Sequence, residues 1–362
     1  MQPRRRKTSW SRRLLRLLVV LALVAAALAI YASRFHPEAE DVPGQGAELA
    51  DRAREPALGR VDPASLVADL KTLSDPAMEG RKVGTPGGAR ARAYLLQRYR
   101  EIGLAPLGAS HEQPFTFTPH RGIAFWRAKF WRTRAPVQGV NVLGQIRGSV
   151  EPDKVIVVSA HYDHLGVREG KLYAGADDNA SGVAALLATA RWFKQHPPRH
   201  TLVFAAFDGE ESGLRGAEAF LEANLVPRER ILANINFDML SRSGEGELFA
   251  TGLYANPQLK PALDPLRATA QATLLYGHDH PRPFWDMDDW TAQSDQGVFH
   301  DAGIPFLYFG VADHPDYHRP TDTFERVDRD FYVRATDLVV GAVAAVDALP
   351  ASDIAKPAGA AR

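Results

Sequence analysis

A histidine and an aspartate near the middle of the chain have the spacing of a metal ligand and its orienting partner. His161-Tyr162-Asp163-His164 directly follows Val155–Ala160, an apolar run whose β-branched residues suit a buried strand. An imidazole at a strand end is a frequent metal ligand, and a carboxylate two residues later can hold its ring by a hydrogen bond. Taken alone, the segment is explained better by an ordinary hydrogen-bonded histidine.

Acidic side chains recur close to other predicted strand and helix ends, and a further histidine lies in a late loop. In chain order these candidates are Asp177 and Asp178, then Asp208, Glu210 and Glu211, then Asp238, and finally His318. Capping of a helix N-terminus explains one acid of the pair at 177–178, but it does not readily explain both. Adjacent carboxylates repel each other, so a bound cation or a raised pKa is expected at 208–211, with a solvated turn as the alternative.

The predicted elements bring these candidates to one edge of a sheet. Short apolar runs predict strands at 155–160, 201–207, 233–237 and 304–309. The segment 180–196 between the first two strands is long enough for a helix, 214–223 follows the second strand, and 330–349 has a helical apolar face. Another helix is predicted from the capping pair Thr85-Pro86 to Gly103. Alternating strands and helices favour an α/β fold with a doubly wound, mostly parallel (mixed) central sheet flanked by helices. Functional groups are expected at the carboxyl ends of its strands.

The composition limits the kind of metal site. The chain has no cysteine, so a disulfide framework and a thiolate site are both excluded, and any metal is held by His, Asp or Glu. Five nitrogen and oxygen ligands suit two divalent cations of the zinc type that share one carboxylate. A further acid is then free to act as a base.

The N-terminal residues predict a targeting element rather than part of the fold. Residues 1–16 carry seven of the 43 Lys/Arg and no acid, so the remaining chain has a net excess of acidic side chains. Because the basic surplus is confined to this short segment, it indicates a targeting signal and not a nucleic-acid-binding surface. The apolar run 14–33 predicts a single-pass anchor in the cytoplasmic membrane, or a signal segment that is cleaved for secretion. In both cases the positive-inside rule places the rest of the chain on the periplasmic, extracytoplasmic side.

Five regions are therefore predicted along the chain. They are a basic cytoplasmic N-terminus at 1–13, the membrane or signal segment at 14–33, a linker at 34–61, one folded domain at 62–349 and a flexible tail at 350–362. The sequence gives no oligomeric state.

The candidate segments, in this order, resemble the family-28 metallopeptidases, a group that includes bacterial leucyl aminopeptidases and the catalytic-type domain of glutamate carboxypeptidase. The resemblance covers roughly 62–349. It includes Glu79-Gly80-Arg81 and Gly84–Gly87, which precede a predicted helix and resemble the N-terminal part of the family. It implies a zinc-dependent exopeptidase, first of all an aminopeptidase, with two Zn²⁺ ions per chain and a peptide or aminoacyl substrate.

The resemblance also implies a role for each candidate residue. The implied metal ligands are His161 and Asp238 for one zinc ion, Glu211 and His318 for the other, and Asp177 as the bridge between them. Asp163 would orient His161, and Glu210 would be the general base that takes a proton from water and passes it to the leaving amine. Asp178 is expected to shape its loop, and Asp208 and His164 are expected to be structural.

Two other functions share the implied fold. A glutaminyl-peptide cyclotransferase works with one zinc ion and no hydrolytic water, and a catalytically inactive binding domain usually loses metal ligands. The complete ligand set argues against both. One departure from the family pattern is Ser294-Asp295-Gln296, where the family often has Ser-Asp-His, and this puts a substrate-pocket contact in doubt.

Two loops are candidates for controlling access to the site. The segment His278–Trp290 mixes aromatic and acidic residues, so it could line a specificity pocket, although a solvated surface loop explains it as well. The segment Phe115–Trp131 could touch lipid headgroups, but an ordinary hairpin that packs its aromatic rings is the better explanation.

Overall fold

The computed structural model describes residues 59–118, 135–269, 272–280 and 288–355. Across these ranges, every helix is too short or too polar to cross a bilayer. The predicted anchor at 14–33 lies outside the described residues, as do the basic segment 1–13 and nearly all of the linker. The hairpin predicted at 115–131 is described only up to residue 118.

A mixed β-sheet forms the centre of the fold. The strands of the described residues are β1 Ala105–Pro106, β2 Glu112–Phe117, β3 Val137–Ile146, β4 Glu151–His161, β5 Gly166–Arg168, β6 Lys171–Tyr173, β7 His200–Phe207, β8 Ile231–Phe237, β9 Glu247–Thr251, β10 Thr273–Tyr276 and β11 Phe306–Gly310. Nine of them form one sheet in the order β1-β3-β7-β4-β8-β11-β9-β10, with β2 paired to β3, and β5 and β6 form a separate pair. Strands β7, β4, β8 and β11 lie next to one another and run parallel, so their carboxyl ends meet at one edge.

Helices cover both faces of this parallel centre. They are α1 Pro63–Leu73, α2 Pro86–Ile102, α3 Gly182–Gln195, α4 Arg215–Ala223, α5 Lys260–Thr269, α6 Gln296–Asp301, α7 Arg329–Ala348 and α8 Ala351–Ile354. Alternate side chains of β4 enter different hydrophobic clusters: Ile156 and Val158 share one with α3 and α7, whereas Val155 and Val157 share the other with α4 and α6. Side chains of a strand alternate between the two faces of its sheet. The layered, mixed α/β architecture predicted from the sequence is therefore confirmed.

The predicted helix after Thr85 shows how local sequence positions an element. The Thr85 hydroxyl accepts a hydrogen bond from the backbone N–H of Gly88, Pro86 occupies the first turn, and Gly103 ends the helix with a φ of 77°. Proline tolerates the first turn because its missing N–H has no helical partner there, and glycine adopts the left-handed cap without a Cβ penalty.

The fold extends past both predicted domain boundaries. Before residue 62, the backbone N–H of Arg60 donates to the Asp337 carboxylate of α7 at 2.7 Å. After residue 349, Ala351–Ile354 forms a short helix whose Ile354 side chain is fully buried. The prediction of a flexible tail from 350 is wrong for this helix, because an apolar side chain in a Pro/Ala-rich stretch finds a place in the core. Residues 356–362 lie outside the described part of the chain.

Candidate metal centre

The carboxyl edge of the parallel strands carries most of the candidate residues. His161 is the last residue of β4 and pairs in register with Phe207 at the end of β7, and Asp238 directly follows β8. Glu210 and Glu211 form a short 3₁₀ turn just beyond β7. The predicted convergence of these segments at one sheet edge is confirmed.

The first of two ligand groups combines His161, Asp178 and Asp238. His161 Nε2 lies 3.4 Å from Asp178 Oδ1 and 3.3 Å from Asp238 Oδ1, and all three residues are buried. One nitrogen and two carboxylate oxygens within this distance suit a divalent cation of the zinc type. We call these three residues the first group.

The second group shares Asp178 and adds Glu211 and His318. His318 Nε2 lies 3.0 Å from Asp178 Oδ2 and 3.4 Å from Glu211 Oε1. The two oxygens of Asp178 therefore face different groups, which is the arrangement of a carboxylate that bridges two cations. Burial opposes ionisation, yet the imidazoles of His164, His161 and His318 hold the pKa of Asp178 well below its usual range. These surroundings favour the ionised form of the Asp178 carboxylate.

Unpaired buried atoms test whether the residues fit a metal ion. Within the described part of the chain, Glu211 Oε1 and both ring nitrogens of His164 are buried without a hydrogen-bond partner. Buried polar atoms are nearly always paired, so a cation is the partner that this cluster of nitrogen and oxygen atoms requires. The donor set fits a zinc-type ion.

The bridging position differs from the prediction for Asp177. Asp177 Oδ1 accepts hydrogen bonds from the backbone N–H and the hydroxyl of Ser241, at 2.7 and 2.8 Å. Its Oδ2 lies 3.0 Å from His314 Nε2, and Asp178 alone of the pair faces the two groups. The geometry contradicts both the bridging role predicted for Asp177 and the loop-shaping role predicted for Asp178. Successive residues of an irregular turn point in different directions, and the sequence of an Asp-Asp pair does not reveal which one turns inward.

Side chains from distant segments hold the turn that presents Asp178. The Asp322 carboxylate accepts the backbone N–H groups of Asp177 and Asp178 at 2.9 and 3.1 Å. Asn179 donates to the carbonyl of Phe237 at the end of β8 and accepts from the N–H of Gly182. Burial raises the pKa of Asp322 to about 6, with the nearby Asp177 carboxylate adding to the effect. Asp322 was not among the predicted site residues, although it belongs to the same loop as His318.

Asp163 and Glu210 lie beside the first group. Asp163 Oδ1 lies 3.7 Å from His161 Nδ1, and the same oxygen accepts the backbone N–H of Glu210 at 3.0 Å. The Asp163 backbone oxygen lies closer to His161 Nδ1, at 3.2 Å. The backbone oxygen of Asp163, and not its carboxylate, is thus within hydrogen-bond distance of the ring, so the orienting role of the carboxylate stays a prediction. The Asp163 carboxylate fixes the backbone of the predicted base.

Glu210 lies in an acidic environment. Burial raises the pKa of this half-buried side chain well above its ordinary value, and the carboxylates of Asp295, Asp238 and Glu211 add to the effect against the opposing charge of His161. A carboxylate with a raised pKa is suited to accept and return protons. The environment agrees with the predicted role of general base.

Asp295 is a residue that sequence reasoning missed. It is fully buried, and neither carboxylate oxygen has a hydrogen-bond partner among the described residues. Burial raises its pKa to about 8, and the charges of Asp163 and Asp238 contribute against that of His161. Its neighbour Gln296 accepts a hydrogen bond from Asn236 and donates to the carbonyl of Trp290. The glutamine therefore has a packing role at the position where the family often has histidine.

Arg81 joins the segments that carry both groups. Its fully buried guanidinium donates to the backbone oxygens of Tyr162, Leu73, Ala174 and Gly175, at 2.7 to 2.9 Å. Burial lowers the pKa of Arg81 to about 10, opposed by the carboxylates of Asp178, Asp322, Asp163 and Glu211, so it is charged at neutral pH. This arginine stands in the Glu-Gly-Arg segment that the resemblance singled out.

The remaining candidates lie outside the two groups, with one exception. Asp208 is buried and accepts the N–H of Val140, in agreement with the structural role predicted for it. His278 stacks on Trp290 at a centroid distance of 3.7 Å, while residues 281–287 of the predicted access loop lie outside the described ranges. The exception is His164, which contacts the second group.

Comparison with known proteins agrees with this geometry. The mixed sheet with helices on both faces is similar to the fold of the solved aminopeptidase from Aneurinibacillus sp. strain AM-1. Its TM-score is 0.61 at 18% identity, with 78% of this chain and 93% of that chain covered. The family model described as Peptidase family M28 matches residues 141–343. The chain belongs to peptidase family M28, as the resemblance predicted.

Two curated relatives carry the comparison further. A "Probable zinc metalloprotease" of Pyricularia oryzae is 27% identical over 72% of this chain and 52% of its own length. "Aminopeptidase YwaD" of Bacillus subtilis is 28% identical over 67% of this chain and 51% of its own length. The chain thus spans about half the length of these relatives.

Proposed function

We propose that this chain is a zinc-dependent exopeptidase, and specifically an aminopeptidase, that binds two zinc ions. The observation that carries the proposal is the position of Asp178, whose two oxygens face two separate ligand groups. Family membership and the zinc and aminopeptidase relatives support the metal and the reaction class. The first group would hold one ion, and the second group would hold the other.

The reaction follows from the chemistry of the surrounding side chains. Two bound zinc ions would supply a polarised substrate carbonyl and a water of lowered pKa. Glu210 accepts a proton from the attacking water and returns it to the leaving amine, in keeping with its acidic surroundings. Asp163 holds the Glu210 backbone, so the base keeps its position beside His161 while the proton moves.

A substrate screen tests this proposal. The purified full chain is assayed with aminoacyl and N-acyl-amino-acid reporters, before and after chelation and after zinc is added back. We expect hydrolysis of aminoacyl reporters that disappears on chelation and returns with zinc. Hydrolysis that persists in the chelated protein, or hydrolysis restricted to N-acyl-amino acids, contradicts the proposal.

Metal counting separates the proposal from the cyclotransferase alternative. A cyclotransferase needs one zinc ion, whereas two complete groups predict two ions per chain. Elemental analysis of the purified protein gives this number directly. One tightly bound zinc ion, together with formation of pyroglutamyl peptides from glutaminyl peptides, would favour the alternative.

We further propose that the catalytic domain acts outside the cytoplasm, tethered by the segment 14–33 or released after its cleavage. The basic flank of this apolar run supports the orientation. Fractionation of cells that express the chain, with protease added to intact spheroplasts, tests it. A domain that is protected from protease inside intact spheroplasts contradicts the proposed side.

A further inference from the structure

His164 lies inside the second group, although neither the family resemblance nor the proposed mechanism uses it. The ring is fully buried and follows His161 by three residues. Its Nδ1 atom lies 2.8 Å from Glu211 Oε1 and 3.5 Å from Asp178 Oδ2. His164 therefore approaches the same two carboxylates as His318.

The contact between His164 and Glu211 is not a hydrogen bond. At 2.8 Å the two atoms are within hydrogen-bond distance, yet both are unpaired within the described residues because their directions are unsuitable. An unprotonated imidazole nitrogen and a carboxylate oxygen repel each other when their lone pairs meet. A cation that both atoms coordinate removes this repulsion.

Two of the four distances between the candidate ligand atoms match the spacing around a single zinc ion, and the other two, at 2.8 and 3.0 Å, are shorter. Zinc ligands at about 2.0–2.2 Å in tetrahedral directions lie about 3.3–3.6 Å from one another. Around the second group, His318 Nε2 lies 3.0 and 3.4 Å from the Asp178 and Glu211 oxygens, and His164 Nδ1 lies 3.5 and 2.8 Å from the same two atoms. Both imidazoles thus meet the same pair of carboxylate oxygens at comparable distances.

The backbone beside His164 is shaped to admit its ring. Gly175 has a φ of 60°, and a Cβ atom built there would lie 2.5 Å from Cγ and Cδ2 of His164. Any other residue at this position would push the imidazole away from the turn that carries Asp178. The glycine therefore lets the ring lie against the metal centre.

We propose that His164 is a fourth protein ligand of the second zinc ion, together with Asp178, Glu211 and His318. The inference rests on the proposed function, because it requires zinc at this group. With His164 as a ligand, binding of the second ion depends on a buried imidazole just beyond the end of β4. It does not depend only on His318, whose side chain is 39% exposed.

Zinc affinity of a variant tests the inference. His164→Phe replaces the imidazole with a somewhat larger phenyl ring that has no nitrogen. His200→Phe is the matched control, because His200 is equally buried and contacts Asp347 and Glu151 instead. Each full-length protein is titrated against a chromophoric zinc chelator, and its folding is checked by circular dichroism. We expect wild type and His200→Phe to bind two ions with equal affinity. In His164→Phe, one ion should bind more weakly by more than about 100-fold, because the loss of an outer-shell partner alone costs about 10–100-fold, and the other ion should bind as in wild type.

A folded His164→Phe protein that binds both ions as tightly as wild type would overturn the inference. If the variant does not fold, a crystal structure of the zinc-loaded wild-type protein decides the question. We expect the Nδ1 atom of His164 at about 2.0–2.1 Å from the second ion, and a distance beyond 3 Å contradicts the proposal. A wild-type protein that binds fewer than two zinc ions refutes the proposed function itself, so the two failures are distinguishable.

Discussion

The two ligand groups meet at Asp178 but are built differently. The first group takes His161 and Asp238 from the ends of neighbouring parallel strands, where the side chains are 1% and 11% exposed. The second group takes Glu211 from a 3₁₀ turn and His318 from a loop, where the His318 side chain is 39% exposed. Sheet hydrogen bonds fix strand ends more firmly than turns fix their side chains. We therefore expect the first group to be preformed and the second to depend on the conformation of its loops.

The largest effect is expected at the residue that both groups share. Asp178→Asn replaces a bridging carboxylate with a neutral amide, so both ions should be lost to a chelator and activity should disappear. Zinc content and kcat on an aminoacyl reporter measure this. Asp177→Asn is the matched control, because its carboxylate binds Ser241 and His314, and it should keep both ions. Loss of both ions in Asp177→Asn, with both ions retained in Asp178→Asn, would identify Asp177 as the bridging ligand.

Removing the base should separate catalysis from metal binding. Glu210→Gln leaves both groups intact, so zinc content should be unchanged while kcat falls by about 10²–10⁴-fold. Glu218→Gln, which changes a partly exposed glutamate paired with Arg215, should leave both quantities unaltered. A Glu210→Gln protein with wild-type kcat would remove this residue from the mechanism.

The buried arginine should affect stability through the segments of both groups. Arg81→Met leaves four buried backbone oxygens without a donor and removes a cation from an acidic site. We expect the free energy of unfolding to fall by about 3–5 kcal/mol, measured by urea denaturation of the metal-free protein. Arg90→Met, in an exposed pair with Glu79, should cost less than about 1 kcal/mol. Equal losses for the two variants would contradict the positioning role of Arg81.

The smallest effect is expected at the exposed ligand of the second group. His318→Gln should weaken the binding of one zinc ion by about 100-fold, the upper end of the cost of losing an outer-shell partner, and leave the other unchanged. The reason is that His318 contacts Glu211 and the Asp178 oxygen that faces the second group. If His164 also ligates this ion, the ion is weakened but still binds. Chelator titration of the variant measures both affinities. Loss of both ions from His318→Gln would show that zinc binding at one group depends on the other. It would contradict the expectation that the first group is preformed.

The sequence predicted the elements of the fold because each rests on local patterns. Apolar runs placed β4, β7, β8 and β11, and the capping residues Thr85, Pro86 and Gly103 placed α2 within a residue of its observed bounds. Parallel strands bring their carboxyl ends together whatever their partners are. The convergence of His161, Glu210, Glu211 and Asp238 was therefore predictable from the strands alone.

The residues that the sequence assigned wrongly or missed depend on contacts between distant segments. Asp178 faces both groups because the turn that carries it is tied to Asp322, more than 140 residues away. Asp295 enters the acidic cluster from the position before α6, where its side chain makes no capping hydrogen bond, and its burial beside Asp163 and Asp238 arises only in the folded chain. The same is true of the tail, where burial of Ile354 orders a stretch of unremarkable composition.

By itself, the sequence determined the α/β architecture, the absence of thiolate ligands and the set of segments that meet at the metal centre. Hydrophobic periodicity and capping depend on residues that are close in sequence, and composition is a property of the sequence itself, so all three can be read without the structure. Only the tertiary structure decided which carboxylate of the pair at 177–178 turns inward and that His164 reaches the second group. Side-chain direction in an irregular turn is set by hydrogen bonds to remote partners, and those partners are neighbours only after the chain has folded.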